Sequence, residues 1–392
     1  MTQNNRFSPL SVLPLRVLTF IVLATVILGI LLLSCSNQEF AIFYYIENEE
    51  EQKDESLENE LSIISMVKDG SFYYIAAGGD IFRRMDTSDN WDSLKFPSGA
   101  DYCTALTLFD PVGPEPNMLY AGFLEGSSTF RFYKGTPSTN PNWQRVTDSK
   151  IDGKQVIRAE VITGSGPTEQ LFVITFDDEY YSLFWSDDGT NYYDGILDEG
   201  KMIRNVTYNP AGPQFYWVVT DDGIYTKGDD PLNNLDPEFD PKPDIELPPE
   251  NGGYRGIYYS TIHNKYYVST LEGVISSSSD GDSWESSGTK SVAGQDVQFW
   301  FFGEVDNRPA LSESNVLVGS VGYGFFEMPD GEVASLDRMS EFIATELYYG
   351  WVTGFFTDYG ATPLVFVYTA GSGLWRNEYT FPGEWGQDWT WE

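Results

Sequence analysis

Tyr266-Tyr267-Val268-Ser269-Thr270, then the turn Leu271-Glu272, then Gly273-Val274-Ile275, reads as two short strands joined by a tight hairpin. Aromatic and β-branched residues suit a pleated surface, and glycine permits the tight turn. The same order recurs on both sides of this stretch. Its first half appears as Phe72-Tyr73-Tyr74-Ile75-Ala76, Met118-Leu119-Tyr120-Ala121-Gly122, Leu171-Phe172-Val173-Ile174-Thr175 and Phe215-Tyr216-Trp217-Val218-Val219. Two further copies follow, Val316-Leu317-Val318-Gly319-Ser320 and Leu364-Val365-Phe366-Val367-Tyr368. The second half is clearest in Gly223-Ile224-Tyr225, Gly324-Phe325-Phe326 and Gly373-Leu374-Trp375, with Asp80-Ile81-Phe82 a looser equivalent. The copies begin at residues 72, 118, 171, 215, 266, 316 and 364. A period of roughly 40–50 residues built only from short strands signifies an all-β fold, a β-propeller with one four-stranded blade per unit. Seven blades over residues 61–392 are expected. Six or eight stay open, because the second and third units are degenerate.

Propellers close by completing one blade with strands from both chain ends, which removes exposed edges. Residues 40–46 and 385–391 both have strand-like composition, and the N-terminal segment is the favoured closing strand. Between residues 40–46 and the first unit, residues 47–60 are mostly acidic and polar. Such a block buries no core and reads as a solvated tether.

The first 34 residues follow the order of an export signal. Arg6 and Arg16 flank a polar start without an acidic residue, and residues 17–33 are apolar apart from Thr19, Thr25 and Gly29. A positive start, an apolar run and a small residue before the cut are what a secretory signal requires. The run ends at Leu32-Leu33-Ser34-Cys35, which resembles the lipobox of bacterial lipoproteins. That resemblance implies cleavage before Cys35 and a diacylglycerol on its thiol. A transmembrane anchor competes, since the run approaches the ~20 residues that span a bilayer. The cysteine at the end of the run and the acidic sequence beyond it favour the lipoprotein. Acyl chains, at roughly 0.8 kcal/mol per buried methylene, would hold the mature chain on a membrane and not in it. Residues 1–34 are therefore read as signal peptide, 35–60 as lipidated acidic tether and 61–392 as propeller. The expected address is the exported face of a bacterial cell membrane or outer membrane.

Composition narrows the function. The chain holds 23 Lys and Arg against 59 Asp and Glu, a net charge of -36. This excess argues against nucleic acid, whose phosphates demand basic side chains. Once Cys35 is lipidated, Cys103 is the one remaining cysteine, so no intramolecular disulfide is expected, and its strand-like surroundings suit a small buried hydrophobe. With His263 the single histidine, a Cys/His zinc site lacks ligands, and no metal or cofactor is expected. Any Ser-His-Asp arrangement would have to use His263, which sits in a turn before a strand. Residues 236–244 form a Pro-rich acidic insertion with no EF-hand spacing, and Phe239 within it is a candidate contact.

Ser278-Ser279-Asp280-Gly281-Asp282-Ser283-Trp284 resembles the Asp-box, the Ser-x-Asp-x-Gly-x-Thr-Trp hairpin of sialidase-type (BNR) propellers. Ser186-Asp187-Asp188-Gly189-Thr190-Asn191-Tyr192 is a second copy, with Tyr192 in the tryptophan position. Thr87-Ser88-Asp89-Asn90-Trp91 and Asn140-Pro141-Asn142-Trp143 look like eroded forms. Here the step from Asp280 to Trp284 is one residue shorter than the commonest form. The resemblance implies a structural role: Ser186, Asp188 and Gly189, and Ser278, Asp280, Gly281 and Trp284, would hold turns away from the working face. The Asp accepts backbone N–H groups, the Gly takes the strained dihedrals and the Trp packs between blades.

A sialidase-like enzyme is the competing class. It would need three arginines around the substrate carboxylate, a tyrosine nucleophile paired with glutamate, and a further acid. The family's early Arg-Ile-Pro motif is absent, and Arg308 and Arg376 fall in no motif. Arg158, Arg204 and Arg255 precede the central strands of their units and are candidates to face an axial channel. A glycosidase of another kind needs only two carboxylates, which 59 acids cannot single out. The leading expectation is a lipid-anchored, non-catalytic binding or scaffold protein that recognises an envelope protein or glycan through one propeller face. The alternative is a glycoside hydrolase or lyase on surface carbohydrate, and a purely structural coat is a third reading.

Overall fold

The structure, a computed structural model, describes residues 61–392 apart from 112–115, 164–168, 178–179, 196–200, 209–215, 222, 228–239, 242–252, 274, 307–313, 339–345, 361, 381–383 and 387–388. Seven antiparallel sheets follow one another along the chain, each with its strands in chain order from the inside outward. The first strands are Ile63–Asp69, Ala100–Phe109, Gln155–Thr163, Ile203–Tyr208, Tyr254–Ser260, Phe299–Asp306 and Trp351–Tyr359, in blades 1 to 7 respectively. They pack side by side around the axis, blade 7 against blade 1 included. The chain is a seven-bladed β-propeller.

The quoted repeat is the second strand of each blade: Phe72–Ala77, Met118–Glu125, Glu169–Asp177, Tyr216–Thr220, Lys265–Thr270, Ser314–Ser320 and Pro363–Ala370. These strands are buried on both faces, so their sequences are continuous apolar runs and not alternations. The Gly-apolar-aromatic half is the third strand, as in Phe325–Met328 and Leu374–Thr380.

Burial on both faces divides the core into seven clusters, one at each seam between consecutive blades. Phe132 and Tyr120 of blade 2 meet Leu171 and Val173 of blade 3. Ile75 and Tyr73 of blade 1 meet Phe366 and Leu374 of blade 7, which closes the circle.

Among the described residues, the fourth strand of blade 7 comes from the C-terminal side. Glu384–Trp385 and Thr390–Trp391 both pair with Leu374–Thr380, near opposite ends, and together act as one interrupted fourth strand of blade 7. Residues 40–46, the favoured closing segment from sequence, lie outside the described residues. The seam with blade 1 is held by side chains. Lys68 Nζ donates to Asp358 at 2.6 Å, Tyr73 donates to the same carboxylate, and Thr353 Oγ1 donates to the Ile63 carbonyl at 2.7 Å. Further out, Arg84 Nη1 lies 2.6 Å from Glu392 Oε2, with side-chain exposures of 0% and 3%. Arg376 engages the other carboxylate oxygen. Burial holds the Glu392 carboxyl above its usual range even with both arginines beside it. This is a desolvated pair, and removing one partner from such a pair costs about 3–5 kcal/mol, whereas replacing both by apolar residues is often nearly neutral. Glu392→Ala should therefore lower unfolding stability by about that amount in urea titration, and Arg84→Met combined with Glu392→Leu should recover most of it.

Candidate functional site

Strand direction defines two faces. Every first strand starts, and every second-to-third turn lies, on one face; the first-to-second and third-to-fourth turns lie on the other. Near its start, each first strand also slips against its neighbour by an extra residue. The slips fall at Ile64, Thr104 (with a second at Asp101), Ile157, Arg204, Arg255, the pair Trp300 and Phe301, and Thr353 in blades 1 to 7. Bulges bend a strand and re-aim its side chains. A ring of seven bulges therefore surrounds the axial mouth on the face where the first strands begin.

Side chains link adjacent bulges. Thr104 Oγ1 donates to the Val156 carbonyl at 2.6 Å, and Arg158 Nη1 donates to the Arg204 carbonyl at 3.0 Å. Gly256, beside Arg255, is where a Cβ would collide with the Trp300 carbonyl oxygen, so this approach of blade 5 to blade 6 requires glycine.

Within this ring the three sequence candidates converge. The Arg204 and Arg255 guanidiniums lie 5.6 and 5.3 Å from the Trp300 ring centre, and Arg158 lies 5.1 Å from that of Phe301. Blades 3 and 6 are not neighbours, so Arg158 reaches Phe301 across the axis. Trp300 in turn meets Trp351 of blade 7 edge to face at 5.5 Å. Glu160 pairs with Arg158 Nε. On blade 7, burial pushes the Tyr368 hydroxyl up to about 12, with Arg158 pulling it down and Glu160 pushing it up. Stacking engages the flat face of a guanidinium, while its N–H donors lie in the plane and match carboxylate or phosphate oxygens. The arrangement suits an acidic group presented together with an apolar or aromatic surface.

Trp300, Phe301 and Trp351 escaped the sequence reading. The available signal was an aromatic residue at the place in unit six that arginine occupies in units four and five; in unit seven that place is Thr353, and Trp351 lies two residues before it.

The two Asp-box-like turns lie on the opposite face, each between a third and fourth strand. In one, Gly281 N–H donates to Ser278 Oγ, and the Asp282 and Ser283 amides both donate to Asp280 Oδ1 at 2.8 Å. In the other, Gly189 N–H donates to Ser186 Oγ, and the Thr190 and Asn191 amides donate to Asp188 Oδ1 at 2.7 Å. Gly189 and Gly281 have φ of 65° and 77°. Trp284 meets Trp217 of blade 4, and Tyr192 meets Phe132 of blade 2, so each turn pins itself to the preceding blade. Of the eroded forms, Trp91 lies under the Arg84 guanidinium and Trp143 meets Phe123.

His263 lies in a turn on the same opposite face. Its Nε2 is 2.7 Å from Ser314 Oγ, and Ser314 Oγ also donates to Glu304 Oε1 at 2.5 Å. A carboxylate only accepts, so the single hydroxyl proton goes to Glu304 and His263 Nε2 must be the donor to Ser314. This is the reverse of the histidine-as-base order of a nucleophilic serine, and Ser314 is 0% exposed. Tyr258 donates to Glu304 Oε2 at 2.7 Å, but burial and Glu304 raise its hydroxyl well above the tyrosine range. Tyr258 and Glu304 lie further along their first strands than the slips at Arg255 and Trp300, toward the opposite face. Cys103 is buried and its thiol is pushed up to about 12. Leu32, Leu33, Ser34, Cys35 and Phe239 lie outside the described residues. Among those described, no group of His, Cys, Asp and Glu is placed to hold a metal, and no helix is long and apolar enough to cross a membrane.

No protein-family model matches the chain, and no curated protein matches it. Solved structures do. The extracellular domain of BT4673 from B. thetaiotaomicron, assigned to a one-component system, superposes with a TM-score of 0.53 at 13% identity, over 85% of this chain and 46% of that one. A second structure of that domain, assigned to a hybrid two-component system, gives 0.52 at 12%, over 84% and 46%. The chain thus spans about half the length of that domain. BBS1N, solved in complex with ARL6DN, gives 0.55 at 11%, over 83% of this chain and 93% of that one. At these identities the likeness shows the propeller fold.

Asp280 supplies a pH test of its turn. The Ser283 and Asp282 amides hold its carboxyl down to about 2 from an ordinary 3.8. A lowered carboxyl stabilises the fold fully above its unfolded value and loses that contribution as pH falls through the folded one. Carbon-detected NMR titration should place Asp280 near 2, and Asp280→Ala should flatten the stability loss between about pH 4 and 2.

Proposed function

We propose that this chain is a non-catalytic binding protein of the bacterial cell envelope, held to a membrane by a diacylglycerol on Cys35. Its axial mouth takes an acidic group on a protein or glycan partner. The observation that carries this reading is the convergence of Arg158, Arg204 and Arg255 on Trp300 and Phe301, set by bulges in consecutive first strands. Arginine, tryptophan and tyrosine are the residues that dominate binding hot spots. Three guanidiniums gathered at one point of a chain with net charge -36 favour an anionic ligand there.

Binding is favoured over glycoside hydrolysis because the Tyr258–Glu304 pair stands apart from the arginines and its tyrosine is harder, not easier, to ionise. Extracellular placement in BT4673 and a protein complex in BBS1N are in keeping with this use of the scaffold. The Asp-box-like turns, on the far face, fit the structural role that the sialidase-type resemblance implies.

Two experiments test the reading. Cys35→Ala should abolish metabolic labelling by palmitate and stop maturation before residue 35; continued membrane attachment of the variant would indicate a spanning segment instead. Arg204→Ala with Arg255→Ala should remove, without loss of the folded circular-dichroism signal, whatever partner wild-type protein retains from envelope extract. Retention unchanged by the double variant would move the contact away from the mouth, with Phe239 the next residue to change. Reducing ends released from envelope glycan over time would favour the hydrolase.

A further inference from the structure

We infer that the propeller rests against the bilayer that carries its anchor, through the rim of the mouth face around blade 7. The inference rests on the reading of Cys35 as lipidated and names how the mouth is presented.

Six large apolar side chains are exposed among the described residues, and three of them surround one blade end. Ile64, at 43%, is the slip residue of blade 1 on the mouth face. Tyr349, at 69%, ends the turn that leads into blade 7 on that face. Trp391, at 39%, pairs with Trp375 in blade 7, and its indole lies where a Cβ on Gly373 of the second-to-third turn would be. Thr353, four residues after Tyr349, donates to the carbonyl of Ile63, the neighbour of Ile64. Of the other three, Tyr180 is on the same face across the ring, and Met85 and Tyr193 lie toward the far face.

The rim is rigidly built. Leu347 is buried in the seam between blades 6 and 7, in one cluster with Trp375. Tyr348 meets Tyr349 edge to face at 4.9 Å, and the Arg338 guanidinium lies 3.3 Å from the Tyr348 ring centre. Arg338 donates to the Tyr323 and Tyr348 carbonyls, which ties its charge to the backbone. Trp391 and Trp375 stack with their planes 14° apart.

Tryptophan and tyrosine settle at the level of lipid headgroups, because each has an apolar body and a polar edge. The chain that leads to the rim decides what covers it. Leu61 packs in the seam between blades 7 and 1, and Cys35 stands 26 residues before it. A stretch of that length spans at most on the order of 90 Å, so a diacylglycerol there keeps the rim near one bilayer and makes even a weak contact intramolecular. Lys95, Lys150 and Lys290 mix with Asp101, Asp152 and Asp296 on this face, so zwitterionic headgroups are not repelled. Blade 7 stands across the ring from blades 3 and 4. Contact at its rim therefore tilts the mouth open beside the membrane, toward partners that sit on that surface.

The test uses the lipidated full chain reconstituted in phosphatidylcholine vesicles. Tyr349→Cys and, as the far-face control, Met85→Cys each carry a thiol-linked NBD fluorophore, and quenching is read with lipid bearing a nitroxide on its acyl chain. Cys35 is blocked by its lipid and Cys103 is buried, so the label goes to the new position. Position 349 should be quenched at least about twofold more than position 85, and Ile64→Ser with Trp391→Ser should erase the difference while the protein still floats with the vesicles. Equal quenching at the two positions, or a difference that survives the serine substitutions with circular dichroism unchanged, would overturn the rim contact and leave the anchor standing. Protein that fails to float with the vesicles would overturn the anchor and the contact together.

Discussion

An aromatic pair spans every seam of the ring. Phe96 and Phe123 lie between blades 1 and 2, Phe132 and Tyr192 between 2 and 3, Phe172 and Tyr216 between 3 and 4, and Trp217 and Tyr266 between 4 and 5. Tyr258 and Phe302, Phe325 and Phe355, and Tyr73 and Phe366 complete the circuit. Each pair contributes about 0.5–1.5 kcal/mol beyond the area it buries. The larger effect is that both faces of each blade are spoken for. A blade lifted out of the ring would expose two apolar faces, so no single blade has a core of its own. Interior positions such as Gly303 and Gly319, where a Cβ would meet Phe355 or Val352, show how closely the seams are filled.

That closeness explains where the mouth sits. First strands crowd together at the axis and share no backbone ladder with their neighbours. Their bulges turn side chains toward the next blade, and Thr104, Arg158 and Thr353 bond to its carbonyls. The residues left to line the mouth are those the bulge re-aims, which are arginine in blades 4 and 5 and tryptophan in blade 6. Site and scaffold are made by the same irregularity. The far face is fixed differently, by hydrogen bonds inside single turns such as the one around Asp280, so change at one face need not disturb the other.

The second and third strands were legible because burial on both faces leaves a continuous apolar run that stands out against the turns. All seven quoted copies fall on second strands, and the blade count follows from them. First strands were hard to read, since they are half-buried and the bulges break their period. The arginines were visible as candidates, but Trp300, Phe301 and Trp351 were not, because aromatic residues make up 16% of the chain and nothing local separates a channel tryptophan from a seam one. The favoured closing segment, residues 40–46, lies outside the described residues. The C-terminal residues supply the outer strand of blade 7 in two pieces, each only two residues long, and so short a match carries little periodicity. The His263 cluster was equally hidden, because Glu304 and Ser314 come from the two strands of the next blade.

The seam between blades 1 and 7 also governs how the molecule is assembled in time. Its bonds, such as Lys68 to Asp358, join residues 290 positions apart. Contacts of such sequence separation bring the largest loop-closure entropy and form slowly. Six seams can be made between neighbours as the chain emerges, but the seventh waits for the last blade. Until it forms, blade 1 keeps one apolar face open. An arc of blades with that seam still open would give chaperones a defined surface to cover and aggregation a defined surface to use.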